Sequence, residues 1–309
     1  MPRDPLINEI RCELSKRFPI AQGSIDLFRY QLMLLPSRYE GHQEAILTFQ
    51  DGMEKGHSNG EHEGEIMLSV LAMLFNCNIK KTGYRVNGLD ISGHSPVKVP
   101  LDNLFGGEIG ADNYASFIRQ LFTLGDQLTK QFIRACYACS LAIASTELDR
   151  ALSFLLLVTA LECIATQEEF CSNSELDKSK KSVERYCRLV HEYCTQPQKL
   201  YPSDGEEGFS RDLKTVYYSH RSAFVHGGRE ISIASKVADQ AGFNSIVHFV
   251  EGKEVFTPGL KWFFQVTRRI LLGILARFPQ AIDTPNQEVL ADIARSRAVL
   301  TMRVGGGDV

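Results

Sequence analysis

The sequence predicts a mainly α-helical protein, with a smaller α+β domain over residues 1–110 preceding a helical region. Glycine carries this division. Eleven of the 24 glycines fall between positions 36 and 110, whereas residues 111–200 hold only Gly125. Glycine marks turns and close backbone approaches, and its absence favours helices, so the chain changes character near residue 110. The second observation is the apolar spacing from Asp112 onward, which has the period of consecutive helices. Length and composition complete the argument: 309 residues with 44% hydrophobic side chains suffice for a buried core.

In the N-terminal part, "INEIRCELSKRF" (7–18) and "GEIMLSVLAMLFNC" (64–77) have helical spacing. "NIKKTGYRVNGLDISG" (78–93) places turn dipeptides between short β-prone runs. Between them, "DGMEKGHSNGEHEGE" (51–65) is read as a polar, glycine-rich loop. Helices are expected at 113–144 with a break near Gly125, and at 147–167, 175–195, 208–226, 232–250 and 259–278. Residues 196–207, with Pro197, Pro202 and Gly205, form a loop, and 281–309 a C-terminal helix with a flexible tail.

Charge and apolar runs exclude several functions. A net charge of −3 gives no global field for nucleic acid or an anionic membrane, so any polyanion site is local. The longest apolar run, "ALSFLLLVTALECIA" (151–165), is shorter than the roughly 20 residues of a membrane span and contains Glu162. The first 18 residues carry no signal-peptide core, and the eight cysteines are scattered, so a cytoplasmic location with reduced thiols is expected. Cys136 and Cys139 have the spacing of half a zinc site, but no second half follows, and they read as buried thiols. His57, Glu61, His62, Glu63 and Glu65 have cation-binding donors, but the glycines and charge around them suit a disordered loop equally well. "GGEIGADN" (106–113) lacks the phosphate-cradling pattern with lysine. No metal or other cofactor is assigned.

The stretch "YYSHRSAFVHGG" (217–228) contains the candidate chemistry. In a helix over 208–226, Ser222 and His226 lie one turn apart, and Gly227 terminates the helix. His226 then sits at the carbonyl end of the helix dipole, which favours its protonated form and suits proton transfer near neutral pH. The same geometry also suits a cap without catalytic function. Arg185 and His191 form a second arginine–histidine pair, but without a glycine stop.

The order of "LDRALSFLLLVTALECIA" (148–165), a charged helix, a loop and "YYSHRSAFVHGG" resembles the HEPN superfamily, most closely its ApeA-like branch. Ala160, Leu161 and Glu162 correspond to the family's apolar helix. Arg221 and His226, with Ser222 after the arginine and Gly227 after the histidine, correspond to its motif. The resemblance implies a C-terminal HEPN-like helical bundle over 111–280 that pairs into a homodimer. It further implies a metal-independent endoribonuclease in a toxin–antitoxin, antiviral defence or RNA-processing setting.

The 2′-hydroxyl of RNA is its own nucleophile, so His226 supplies proton transfer and Arg221 stabilises charge on phosphate. Lys178, Lys180, Lys181, Arg185 and Arg188 are candidates for holding the RNA strand, or else form a solvated helix face. Residues 1–110 are assigned a sensing, inhibiting or recruiting role. The alternative is a catalytically silent module that binds RNA, nucleotide or a protein partner.

Overall fold

The computed structural model describes residues 5–15, 18, 23–36, 40–51, 57–92, 114–146, 150–165, 182–193, 213–214, 217, 245–250, 253–258 and 260–277. They belong to two compact units, one drawn from 1–133 with 275–309 and the other from 134–274.

The first unit is built on a six-stranded antiparallel sheet. Its strands are β1 (Leu6–Leu14), β2 (Gly23–Leu27), β3 (Tyr30–Leu35), β4 (Gln43–Asp51), β5 (Ile79–Val86) and β6 (Leu89–Ser92), in the order β2-β3-β4-β1-β5-β6. Helix α1 (His57–Phe75) connects β4 to β5, which flank β1 on either side. Along β1, Asn8, Ile10, Cys12 and Leu14 are buried while Ile7, Glu9 and Arg11 are more open. Tyr30, Leu32 and Leu34 of β3, and Ala45, Leu47 and Phe49 of β4, continue the same period-two burial. One face of the sheet is therefore the core face. Between β5 and β6, Asn87 (φ 48°) and Gly88 (φ 80°) both adopt left-handed backbone, the conformation of a tight hairpin turn.

Gly60 and Gly64, one turn apart on α1, let the helix lie close against the sheet. A Cβ at Gly64 would stand 2.0 Å from Ile10 Cδ1, and one at Gly60 2.3 Å from Asn8 Oδ1. Helix α2 (Tyr114–Thr123) buries Tyr114, Ile118, Leu121 and Phe122, an i, i+4, i+7, i+8 stripe. Phe122 packs on Phe28 and Tyr30, and Tyr114 meets Phe75 edge to face at 4.8 Å.

The second unit includes most of α3 (Asp126–Ser145), α4 (Arg150–Ala165), α5 (Ser182–Tyr193) and α6 (Leu260–Arg277), with an antiparallel pair β7 (Ser245–Val250) and β8 (Lys253–Pro258). Phe154, Leu157, Val158, Leu161 and Ile164 of α4 are buried. The Ser153 hydroxyl donates to the Ala142 carbonyl, joining α4 to α3. Phe154 stacks on Phe263 of α6 at 5.9 Å. Gly273 leaves room for the Tyr193 ring, which a Cβ there would approach to 2.7 Å.

This architecture corrects the mainly α fold class. The N-terminal region is sheet-rich, and the described residues do not form the expected C-terminal helical bundle. Residues 7–14, expected to be helical, form the central strand β1, because strands on both sides satisfy its backbone and its apolar positions fit period two as well as a helix. Residues 57–65, expected to be loop, are helical, because their glycines serve close packing rather than a turn. Residues 245–250, expected to end a helix, form β7, whose partner β8 follows after only Glu251 and Gly252. Of the helices expected at 113–144, 147–167, 175–195 and 259–278, the described residues form α2 with α3, α4, α5 and α6, and the break near Gly125 separates α2 from α3; most of the helix expected at 208–226, residues 232–244 of the next and all of 281–309 lie outside the described residues.

Candidate functional site

Arg221, Ser222 and His226 lie outside the described residues, as do Lys178, Lys180 and Lys181. The structure describes Leu213, Lys214 and Tyr217, which precede Arg221 in the sequence. Tyr217 is buried, and its hydroxyl donates to Glu162 Oε1 at 2.6 Å. Its ring tilts by 45° against the fully buried Tyr186 at 5.6 Å. Because α4 and α5 pack together, the residue four positions before Arg221 is anchored to both helices. A hydrogen bond to a carboxylate contributes about 1.5–3 kcal/mol when well shielded. Glu162 is only half-buried, so the lower end applies here.

Helix α5 carries Arg185 and Arg188. Its inner face consists of Val183, Tyr186, Leu189 and Val190, all buried. Arg185, Arg188 and Glu192 are half-buried on the opposite side, where Glu184 is exposed. Two arginines are thus interleaved with two glutamates, and this face has little net positive charge. Leu213 is buried while Lys214 is exposed and lies near Cys187. The Cys187 thiol is pushed up to about 11 by burial, with Lys214 opposing and Glu184 reinforcing the shift.

The acidic and histidine-bearing start of α1 is a network of ion pairs. Glu63 is 1% exposed and accepts from Arg29 Nη2 at 2.7 Å and the Tyr30 hydroxyl at 2.8 Å. Arg29 also lies over the Tyr30 and Phe122 rings. The Lys81 ammonium reaches Glu61 Oε1 at 2.6 Å and also bonds Glu65. Burial alone lowers its pKa, but the two carboxylates outweigh that effect and hold it above its ordinary value. His62 Nδ1 stands 3.5 Å from Glu65 Oε2. The His57 side chain is outside the described residues. Among the described residues, no group of three or more histidine, cysteine, aspartate or glutamate side chains is arranged to hold a metal.

Cys136 and Cys139 are free and buried in α3. Burial raises the Cys136 thiol well above its ordinary value and pushes Cys139 up to about 12. Both favour the neutral thiol, the poorer metal ligand and nucleophile. Cys163 is partly accessible, and burial raises its pKa while Arg134 opposes the rise.

Sequence reasoning missed Asn8, whose Oδ1 accepts from the Tyr84 hydroxyl at 2.6 Å beneath the first turn of α1. It also missed the pairing of Glu63 with Arg29. Gly60 and Gly64, spaced one helical turn apart, were the available signal: in a helix they mark one face that lies close to another backbone. Among the described residues, no helix is long and apolar enough to cross a membrane. No protein-family model, no curated protein and no solved structure matches the chain.

Proposed function

We propose that the chain is a metal-independent endoribonuclease of HEPN type, acting in the cytoplasm as a homodimer in a defence or toxin–antitoxin setting. His226 transfers the proton between the 2′-hydroxyl and the leaving oxygen, and Arg221 stabilises the negative charge that develops on phosphate. Support comes from the order Arg221, Ser222, His226 and Gly227 in the sequence. The structural observation that carries most weight is the Tyr217–Glu162 hydrogen bond, which ties Tyr217, four positions before Arg221 in the sequence, to α4.

The test is cleavage of RNA by the full chain in excess EDTA. Products ending in 2′,3′-cyclic phosphate are expected, with His226→Ala slowing the reaction by about 10² to 10⁴-fold. Arg221→Lys should remove most activity, because it retains charge but loses the planar fork. His191→Ala should leave the rate unchanged. Metal-dependent cleavage leaving 5′-phosphates would reject the mechanism.

A second reading rests on the balanced charge of the α5 face, where Glu184 and Glu192 accompany Arg185 and Arg188. Such a surface suits a protein partner better than a polyanion, as in a catalytically silent module. Absence of cleavage with every RNA tested, together with loss of partner binding on reversing Arg185 and Arg188 to glutamate, would favour this reading.

A further inference from the structure

We propose that the β2–β3 hairpin loop and α2 form a platform that stacks an unpaired base of single-stranded RNA, with Phe28 and Arg119 as its two layers. The proposal rests on the RNA reading above and assigns contact residues other than Arg221 and His226.

Phe28 and Arg29 are the two-residue loop between β2 and β3, since Leu27 pairs with Tyr30 across it. Phe28 has φ 73°, a left-handed backbone. Glycine, asparagine or aspartate adopts that conformation readily in a two-residue hairpin loop, whereas a bulky side chain is strained there. The loop between β5 and β6 has the expected residues, Asn87 and Gly88. Phenylalanine at position 28 is thus held against its backbone preference, and strained residues of this kind cluster at ligand sites. The Asp26 side chain steadies the loop by accepting from the Phe28 N–H at 3.0 Å.

Core packing does not consume this side chain. Phe122 and Tyr30 are each 1% exposed, but Phe28 is only half-buried, its ring tilted by 47° against Phe122 at 5.8 Å. Arg119, on α2 one turn before Phe122, lies over the Phe28 ring at 5.4 Å and is exposed. The three side chains form a ladder from the buried Phe122 through Phe28 to a guanidinium at the surface. A guanidinium backed by an aromatic ring offers its outer face to a nucleobase, and its N–H edge remains free to meet the RNA backbone.

Local charge favours a base over a lone phosphate. Arg29 is engaged by Glu63 at 2.7 Å, whereas Arg119 forms no ion pair among the described residues. Asp26 is exposed at the same loop, so the platform has one free cation beside one anion and no surplus charge to hold phosphate by itself. Stacking does not require such a surplus. A base inside a duplex has both faces covered by its neighbours, so only an unpaired strand can extend the ladder.

The experiment is fluorescence anisotropy of the full chain with a labelled single-stranded oligoribonucleotide in EDTA, methylated at every 2′-oxygen so that cleavage does not intervene. Wild type should bind it more tightly than a duplex of the same sequence. Arg119→Ala should weaken binding by about tenfold, the loss of one stacked base. Arg119→Lys keeps the charge without the flat guanidinium and should lose about as much. Phe28→Gly suits the left-handed loop and should weaken binding to the same degree. Arg119 is exposed, so its variants keep the fold and decide the matter if Phe28→Gly does not fold. Wild-type affinity in Arg119→Ala overturns the proposal, and wild-type affinity in Arg119→Lys overturns it by reducing the contact to charge attraction. Equal binding of duplex and single strand, or binding of neither, overturns it as well. Cleavage of unmodified RNA is a separate readout, so the platform can fail while the ribonuclease reading stands, and the reverse.

Discussion

Replacing Gly64 with alanine tests the reading that α1 carries glycine for close approach and not for flexibility. Two terms oppose each other. Alanine is favoured over glycine in a helix interior by about 1 kcal/mol, so an exposed site would gain that amount. At Gly64, however, the added Cβ would stand 2.0 Å from Ile10 Cδ1, 2.9 Å from Ile10 Cγ1 and 3.3 Å from Phe49 Cε1. Ile10 is fully buried and Phe49 nearly so, leaving little room to retreat. Overpacking a filled core costs about 1–3 kcal/mol, and overlap with two carbons of one fixed side chain puts the cost at the upper end. The expected net loss is about 1–2 kcal/mol after the propensity gain. Gly125→Ala is the internal control, since nothing lies within 4 Å of a Cβ there and its φ is not positive. It should be neutral or stabilise by up to about 1 kcal/mol. Urea denaturation of both variants, compared at equal m-value, measures the difference. Gly64→Ala as stable as wild type would refute the close-packing account of the helix.

Glu63→Ala should destabilise the first unit by about 3 kcal/mol, the low end for breaking a buried pair, because Arg29 keeps some solvent contact. A loss under about 1 kcal/mol in chemical denaturation would show that the pair is weakly coupled to the fold. Native-state labelling by a thiol reagent should reach Cys163 before Cys136 or Cys139, since only Cys163 of the three is partly accessible. Cys139 loses its proton at about 12 when folded, against an ordinary value of 9.0, so the folded state retains a proton that the unfolded chain releases. Its contribution is complete below about pH 9 and declines as pH rises toward 12, a trend that Cys139→Ala should flatten in alkaline unfolding curves. Tyr217→Phe removes one hydrogen bond while keeping the ring on Tyr186, and should cost about 1.5 kcal/mol by denaturation. No change would mean that water replaces the hydroxyl at Glu162 without penalty.

The sequence alone determined those elements whose signals are local. The apolar run 151–165 is a helix because nothing in it breaks one, and the interruption at Gly125 separates two helices where the glycine stands. The Asn87–Gly88 turn was legible because only a few residue types adopt its left-handed backbone readily. The burial of Cys136 and Cys139 followed from the apolar helix around them. What remained undecided locally was set by pairing between distant segments. Residues 6–14 satisfy a helical period and a strand period alike, and only hydrogen bonding to β4 and β5 made them the centre of a sheet. Gly60 and Gly64 read as turn residues until Ile10 and Asn8, about fifty positions away, lay against them. Glu63 appeared as one more charge in a polar stretch, and Arg29 and Tyr30 drew it into the core. A window of sequence contains the torsional preferences of its own residues but not the partner that buries them, so tertiary structure alone could choose among the conformations those preferences allow.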